Sequence, residues 1–489
     1  MLPKIEFLND EIIDRILDEA HQLLQNPGIK VHLKEARDLL YSNGAKVNED
    51  DEIVHIPSPL AQRALESVPS QFSLFDKFGN PKVNYGGRSV QFDPGSSGVN
   101  ILDSNSQIHR PALTQDLINI IKIADYYPQY DAQSTAVVCS EIPKEIGDLY
   151  RLYLVLLYSN KPIITGAFTA ESGRLMYEML EIFSGDKESL RDKPIAVFDV
   201  CPSPPLVWTD FGAQNLIDLA RAGIPAELVS MPLSGAAAPI TLLGSIVQHA
   251  AESISGITIH QLANPGSPII WGGAPAIMDM RHGTTPMGAI ETAMIDASYT
   301  QIGKYLGLPT HAYMGASDSK VVDTQAGLES GITTLIGALA GINMISGAGM
   351  LDFLACVSPE KLVIDAEAIG MAKRMIKGIE VQTATLATQM FEGINFKSNF
   401  LRQRITRDLV KKEQYIPSNI IDRGSLRSWQ QSGGNDTYLR AKAQVQEILK
   451  NYQPPDIPTI EATELKTFVQ KAALKAGMQR LPEIDWWNS

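Results

Sequence analysis

From about Arg88 onward, the chain alternates between short apolar runs and longer amphipathic stretches. Each run is rich in β-forming residues and bounded by Gly or Pro, which is typical of a buried strand. The runs cover residues 89–92, 133–138, 162–168, 194–200, 226–232, 268–274, 310–316 and 342–348. Helix-length stretches lie between them, such as 116–127, 147–158, 211–222, 289–306 and 327–339. Eight strand–helix units in about 270 residues predict an α/β fold of the (β/α)8 TIM-barrel type. The alternative is a doubly wound open sheet, which ordinarily needs fewer units.

The segments on either side of this alternating part have a different pattern. Near the start, the polar pair Asn9-Asp10 can cap an amphipathic helix. Residues 72–85 alternate like a β-hairpin around the turn residues Gly79-Asn80-Pro81. After residue 358 the chain becomes helical and charged. We therefore predict an N-terminal α/β cap over 1–87, a TIM-barrel catalytic domain over 88–358, and a C-terminal helical region over 359–489 packed on the barrel.

Charge and cysteine content narrow the range of functions. The formal net charge is -13, and the Lys and Arg residues are dispersed, so we expect no binding to nucleic acid. Three cysteines are too few for a disulfide framework and indicate a reducing, cytoplasmic setting. The first residues lack the apolar run of a signal peptide. The uncharged segment 331–351 is interrupted by glycines, which favours a buried helix followed by a strand over a membrane span.

Aromatic residues are frequent at the ends of the predicted strands, where a TIM barrel places its active site. These rings belong to Phe92, Phe168, Trp271, Tyr313 and Phe353. Aromatic faces attract quaternary ammonium groups, so the rings are candidates for a cage around such a cation. The alternative for each ring is ordinary packing in the barrel core. Small residues and rings outnumber acids, bases and histidines at these ends, which favours a roomy pocket over a proton-transfer site.

Two carboxylates and several hydroxyls accompany the rings. Asp93 and Asp318 could attract a cation, although Asp is also common in turns and helix caps. Ser97, Ser317 and Ser346 follow or lie within the same strand ends and are predicted to line the pocket.

Other chemistries have weaker support in the sequence. Cys139, Cys201 and Cys356 each follow a predicted strand, but their spacing fits no zinc-ligand pattern, and we predict no metal site. His311 lies within the seventh run, where a core histidine is the simpler interpretation. Neither a phosphate-binding loop nor a dinucleotide-binding fingerprint is present in the sequence.

The stretch after the seventh run carries a family resemblance. Residues Tyr313-Met314-Gly315-Ala316-Ser317-Asp318-Ser319-Lys320, followed by Asp323, Gln325, Ala326, Gly327 and Glu329, closely resemble the trimethylamine:corrinoid protein methyltransferases. The resemblance extends from the turn Asn26-Pro27-Gly28 to Ile421-Asp422-Arg423. In archaeal members, the position that matches Ala316 is pyrrolysine, an electrophilic residue thought to take up the amine. The chain therefore resembles a branch of the family without pyrrolysine.

This resemblance implies a reaction. Family members move a methyl group from a methylated amine to cobalt(I) of a corrinoid carried by a separate protein. Ala316 then implies a quaternary amine that is already cationic: glycine betaine, proline betaine, carnitine or butyrobetaine. Ser346, where similar proteins carry a larger polar ring, leaves room for a longer substrate. Lys320 keeps a lyase or aldolase open as an alternative, and a non-enzymatic betaine-binding protein is another.

The resemblance also implies partners. We expect a cognate corrinoid protein to supply cobalamin, no cofactor bound by this chain alone, and assembly into a homo-oligomer.

Overall fold

The eight apolar runs form eight parallel strands in the computed structural model, which describes residues 3–392 and 399–485. We number these barrel strands β1 (Gln91–Pro94), β2 (Gln133–Ser134), β3 (Ile163–Thr165), β4 (Ala196–Val200), β5 (Ala226–Leu228), β6 (Ile269–Ile270), β7 (His311–Tyr313) and β8 (Met344–Ala348). Strands β2 to β6 pair in sequence order, and β7 pairs with β8, which pairs with β1.

Further hydrogen bonds and a backbone bridge close the two remaining gaps between strands. Trp271 bridges to Thr310 between β6 and β7. The Asp131 N–H donates to the Phe92 carbonyl at 2.7 Å, and the Ser134 hydroxyl donates to the Gly95 carbonyl at 2.8 Å, so β1 is joined to β2. The predicted (β/α)8 barrel is confirmed.

A helix follows each barrel strand and packs on its outer side. These helices are Thr114–Tyr126, Gly147–Tyr158, Ala170–Ser184 with the short Lys187–Asp192, Asp210–Ala222, Leu242–Ala263, Ile290–Tyr305, Thr324–Ala340 and Pro359–Ile376. The last of them contacts Thr324–Ala340 on one side and Thr114–Tyr126 on the other, which closes the ring of helices.

The N-terminal part packs on the barrel and blocks its amino end. Its helices are Asp10–Gln25, capped by Asn9, then Lys34–Ser42 and Ser58–Ser67. Strands Ile29–Val31, Lys46–Asn48 and Ile53–His55 form a sheet with Val207–Trp208. The predicted hairpin is present as Gln71–Phe75 and Pro81–Gly86.

This hairpin packs into the amino end of the barrel and closes it. Its residues Leu74, Val83 and Tyr85 are buried. They form one apolar cluster with the barrel residues Ala132, Ile164, Val197, Ile270 and Met344. The barrel interior is therefore closed at this end, and its carboxyl end is the remaining approach.

Loops at the carboxyl end form small sheets over the mouth. Strands Asn100–Leu102, His109–Pro111, Met350–Leu351 and Cys356–Val357 make one of them, and Leu233–Ser234 pairs with Ala276–Ile277 in the other. The first joins the loop after β1 to the loop after β8.

The chain beyond the barrel is helical. Its elements are Thr388–Phe391, the 3-10 turn Phe400–Arg402, Arg404–Glu413, Leu426–Gln431, Thr437–Asn451 and Thr459–Lys475; a further 3-10 turn, Lys144–Ile146, precedes the helix after β2. The division into 1–87, 88–358 and 359–489 stays a prediction, and the helix Pro359–Ile376 lies in the barrel ring just beyond the last boundary.

The uncharged segment 331–351 is a helix followed by a strand, as predicted. It contains the end of Thr324–Ala340 and all of β8. Within residues 3–392 and 399–485, no helix combines the length and apolar character needed to cross a bilayer.

Candidate functional site

Strand register determines which side chains enter the barrel. Residues paired in register across parallel strands point to the same face of a sheet. Asp93, Tyr313 and Ser346 are paired across β1, β7 and β8, while Asp199 and Glu227 are paired across β4 and β5. All five point inward, and the structure brings them together near the carboxyl ends of the strands.

Tyr313 links two strand ends through its hydroxyl. The Tyr313 hydroxyl donates to Asp199 Oδ2 at 2.9 Å, and it lies 3.0 Å from the Ser96 hydroxyl in the loop after β1. Asp199 Oδ1 is buried and has no hydrogen-bond partner. Tyr313 is 7% exposed and Asp199 is partly buried, so their contact lies inside the barrel end.

A second set of contacts runs deeper in the barrel. The Ser346 hydroxyl oxygen lies 2.5 Å from Asp93 Oδ1 and 2.9 Å from His311 Nε2. If Asp93 is ionised, the Ser346 hydroxyl donates to it and His311 Nε2 carries the proton that points to Ser346; if Asp93 is protonated, it can donate to Ser346, which can then donate to His311 Nε2. His311 Nδ1 lies 2.9 Å from Glu227 Oε1, although the two groups are not aligned as a hydrogen bond.

Burial favours the neutral forms of the titratable side chains in this interior. Loss of hydration raises the pKa of Glu227 to about 8 and lowers the pKa of His311 to about 4. It also raises the pKa of Asp93 and Asp199 well above the usual range, and the neighbouring Glu227 adds to both shifts. Few acids were predicted at the strand ends, and neither Glu227 nor Asp199 was among the predicted site residues. Both lie within apolar runs that form β5 and β4.

Two of the predicted cage rings face away from the barrel interior, so their expected place at the mouth is wrong. Trp271 packs among the outer helices: its indole N–H donates to the Tyr299 carbonyl at 2.9 Å, and its ring contacts His249 edge-on. Phe92 also faces outward, with the Lys373 ammonium 5.7 Å from its ring centroid. The physical reason is the two-residue period of a strand, which places the neighbours Asp93 and Ile270 inside instead.

The ring of Phe353 is already occupied by a cation–π contact with Lys320. The Lys320 ammonium lies 3.8 Å from the ring centroid and also donates to the Asp318 carbonyl. Asp352, Phe353 and Leu354 form a left-handed turn, with φ angles of 51°, 57° and 70°. Phe353 is thus a partner of Lys320 rather than a free cage ring, and Lys320 is engaged on the surface of the mouth.

Phe168 and Ser97 lie at the mouth and contact Arg151, which was not among the predicted site residues. Phe168 is 42% exposed, and its ring covers the Arg151 guanidinium at 4.7 Å. Arg151 Nη1 donates to the Thr135 carbonyl at 2.8 Å and to the Ser97 hydroxyl at 3.2 Å. The sequence did contain one sign that Arg151 has a special role, because it is the only cation in the apolar helix Gly147–Tyr158.

Asp318 and Ser317 hold the loops together. Asp318 accepts the backbone N–H groups of Met287 and Gly288 at 2.8 and 3.0 Å. Burial raises the pKa of Asp318 to about 6. The Ser317 hydroxyl donates to Glu329 Oε2 at 2.6 Å. These contacts favour the capping interpretation of Asp318 over a role in attracting a cation.

Comparison with known proteins places the chain in a family. The family model for trimethylamine methyltransferase (MTTB) matches residues 1–477. The chain belongs to the trimethylamine methyltransferase family.

Relatives within this family differ in the substrate named. The chain is 34% identical over 466 residues to trimethylamine methyltransferase MttB2 of Methanosarcina mazei, which covers 93% of each chain. It is 30% identical over 474 residues to MttB of Desulfitobacterium hafniense, covering 96% of this chain and 95% of the relative. A glycine betaine methyltransferase of Desulfitobacterium hafniense is 29% identical over 480 residues, covering 98% and 99%.

A solved structure shares the fold of this trimethylamine methyltransferase family member. The monomethylamine methyltransferase MtmB of Methanosarcina barkeri superposes with a TM-score of 0.53 and covers 91% of this chain and 89% of its own, at 12% identity. At that identity the likeness concerns the barrel fold alone.

Ala316 is the residue that the sequence resemblance matches to pyrrolysine. It is 1% exposed and packed within the main apolar core. Gly315 before it has a φ of 85°, and a Cβ there would lie 2.8 Å from Thr334 Oγ1, so the turn into Ala316 requires glycine. Ala316 itself offers a methyl group and no functional atom.

The cysteines and histidines offer no metal centre. Cys139 and Cys356 are buried and Cys201 is exposed, and all three are free thiols. In the part of the chain that the structure describes, no group of three or more His, Cys, Asp or Glu side chains is placed to hold a metal ion. The zinc alternative therefore has no ligand set there.

Proposed function

We propose that the chain transfers a methyl group from a quaternary amine, such as glycine betaine or a related trimethylammonium or dimethylammonium acid, to cob(I)alamin of a separate corrinoid protein. The observation that carries this proposal is Ala316, which provides no group able to form an adduct with an amine. Membership of the trimethylamine methyltransferase family and the similarity to a glycine betaine methyltransferase support it.

The charge of the amine explains why a bare methyl group suffices at Ala316. The corrinoid supplies cobalt(I), a nucleophile that takes the methyl carbon. The C–N bond breaks and its electron pair stays on nitrogen. A quaternary ammonium leaves as a neutral amine and needs no proton. A neutral tertiary amine would leave as an anion unless another group first made it cationic.

The polar interior suits a substrate that loses its positive charge during the reaction. Tyr313 and Asp199 place oxygen atoms near the mouth, and Asp93 lies deeper in the barrel, bonded to Ser346. Their raised carboxyl pKa values keep much of this negative charge neutralised by protons. Fully ionised carboxylates would stabilise the cationic ground state more than the transition state, and so would slow the transfer.

The corrinoid is supplied by a partner in this proposal. The sequence has no Asp-x-His-x-x-Gly motif of the kind that ligates cobalt in corrinoid carriers. The amino end of the barrel is plugged by the hairpin, so a carrier would dock over the carboxyl-end mouth.

The experiment is methyl transfer in solution. The purified chain is mixed with reduced cognate corrinoid protein and with glycine betaine, proline betaine, carnitine, butyrobetaine or trimethylamine, and methylcobalamin is followed by absorbance. We expect methylcobalamin with at least one quaternary amine and little with trimethylamine. Equal rates for trimethylamine and the best betaine would contradict the role given to Ala316.

The same assay separates the alternatives. Binding of a betaine with no methylcobalamin would support a betaine-binding protein. Cleavage of a carbon–carbon or carbon–heteroatom bond that is lost on replacing Lys320 would support a lyase or aldolase.

A further inference from the structure

Arg151 is a buried charge with no carboxylate in direct contact. Its side chain is 0% exposed, in a helix whose twelve residues are all buried. Within residues 3–392 and 399–485, its hydrogen bonds go to the Thr135 carbonyl and the Ser97 hydroxyl, and Asp148 acts on it only as a nearby charge. Its helix neighbour Asp148 instead accepts the Phe168 N–H at 2.6 Å and the Ser172 hydroxyl at 2.5 Å. An unpaired guanidinium in the interior lowers stability, which points to a ligand that completes it.

The free atoms of Arg151 form one edge of the guanidinium. Nη1 makes both of the hydrogen bonds, to the Thr135 carbonyl and the Ser97 hydroxyl. Nε and Nη2 are buried and have no partner. These two nitrogens present parallel N–H groups, which is the geometry that binds both oxygens of a carboxylate. The Phe168 ring covers the flat face and leaves this edge uncovered by the stacking.

Arg151 reaches the mouth beside the polar interior. Thr135 directly follows β2, Ser97 lies in the loop after β1, and Phe168 follows β3. Burial lowers the pKa of Arg151 to about 10, while the nearby groups Asp148, Cys139, Asp199 and Tyr313 act in the opposite direction. The guanidinium and the Tyr313–Asp199 pair are therefore close neighbours at one opening.

We propose that the Nε and Nη2 edge of Arg151 binds the carboxylate of the substrate while its ammonium group lies toward Tyr313 and Asp199. This inference rests on the proposed function and narrows it: the substrate is a trimethylammonium or dimethylammonium acid rather than an alcohol such as choline. Arg151 would then be the residue that decides specificity at the anionic end of the molecule.

The test measures binding without any corrinoid, so that it does not depend on methyl transfer. Isothermal titration with glycine betaine, butyrobetaine and choline compares wild type with Arg151→Met and Arg151→Lys. The matched control is Arg174→Met on the next helix, an exposed arginine paired with Asp218. Circular dichroism checks that each variant is folded.

We expect wild type to bind at least one of the two betaines about 10-fold or more tightly than choline. Arg151→Met should lower affinity for that betaine about 10- to 100-fold, the effect of losing charge-assisted hydrogen bonds, and change choline binding little. Arg151→Lys keeps the charge but not the paired donors, so its loss should be intermediate. Arg174→Met should match wild type.

The ratio of betaine to choline affinity decides the outcome. If Arg151→Met weakens both ligands equally, or if wild type binds choline as tightly, Arg151 is not the carboxylate-binding residue. If Arg151→Met fails to fold, the ratio in Arg151→Lys decides in the same way. A wild-type chain that binds none of the probes overturns the inference. A chain that prefers betaines through Arg151 but forms no methylcobalamin overturns only the proposed reaction.

Discussion

Glu227 couples the protonation of the barrel interior to the stability of the protein. Burial raises its pKa from 4.5 to about 8. A carboxyl whose folded pKa lies above its unfolded value stabilises the fold fully below the unfolded pKa. That stability is lost as the pH rises through the folded pKa. The folded state thus becomes less stable between about pH 4.5 and about pH 8, by up to about 1.4 kcal/mol per pH unit for one proton.

Replacing Glu227 by Gln should remove this pH dependence. The amide is neutral at every pH, so the free energy of unfolding of Glu227→Gln should exceed that of wild type increasingly as the pH rises toward 8. Urea denaturation at about pH 6 and about pH 9 measures the difference. Glu178→Gln, an exposed glutamate on a barrel helix, is the control and should follow wild type. A constant difference between Glu227→Gln and wild type would show that Glu227 does not titrate in this range.

The helix Pro359–Ile376 ties together the chain that follows β7, where Ala316 lies, and the chain that follows β8. Its buried Lys361 ammonium bonds to Asp365 Oδ2 at 2.6 Å, and the same oxygen accepts the Gly349 N–H at 2.7 Å. Lys361 also lies 3.3 Å from the Gly315 carbonyl. One ion pair therefore fixes the chain on both sides of the mouth, after β7 and after β8.

Removing only one partner of the Lys361–Asp365 ion pair should strongly destabilise the protein. Asp365→Leu leaves Lys361 buried and unpaired, so we expect a loss of about 3–5 kcal/mol in the free energy of unfolding. The double variant Lys361→Met/Asp365→Leu should recover much of that loss, because it leaves no lone charge. Chemical denaturation measures both. The control is Asp38→Leu, which breaks the exposed pair Lys34–Asp38 of the same spacing and should change stability little. A double variant as unstable as the single one would contradict this explanation.

The alternation of side chains between the two faces of a strand explains which site residues could be predicted. The eight runs could be recognised as buried strands because each is apolar on both faces. For the same reason, the sequence does not show which face of a strand points into the barrel. Tyr313, Asp93 and Ser346 were selected and do lie inside, whereas Trp271 and Phe92 were selected and lie outside. Arg151 was not predicted because it reaches the mouth from a helix, whereas the active site of a TIM barrel is expected at the strand ends.

At the scale of the molecule, the repeated pattern was sufficient to predict a closed barrel, and the hairpin was visible from its alternation and turn. The position of the hairpin inside the barrel could not be predicted, because it depends on contacts between segments far apart in sequence. Leu74 and Val83 contact barrel residues from β3 to β8. Assembly into a homo-oligomer and a cytoplasmic location stay predictions.

The hairpin should contribute to stability but not to substrate recognition. Leu74→Ala removes a fully buried side chain and should lower the free energy of unfolding by about 2–5 kcal/mol. The KM for the methylated substrate should stay near the wild-type value, because the cavity forms at the end opposite to the mouth. Urea denaturation and the methylcobalamin assay give the two quantities. The exposed Leu243→Ala is the control. A marked rise in KM without loss of stability would show that the hairpin shapes the substrate pocket.

Because the hairpin closes the amino end, the amine and the cobalt of the proposed reaction would have to use the same opening. A carrier protein seated on that opening would stop free exchange of small molecules with the solvent. Under the proposed reaction, the amine has to enter before the carrier docks, and the demethylated product has to wait until it departs. The steady-state kinetics would then follow a compulsory order, and a large excess of carrier would inhibit turnover by covering the chain before it has taken up its substrate.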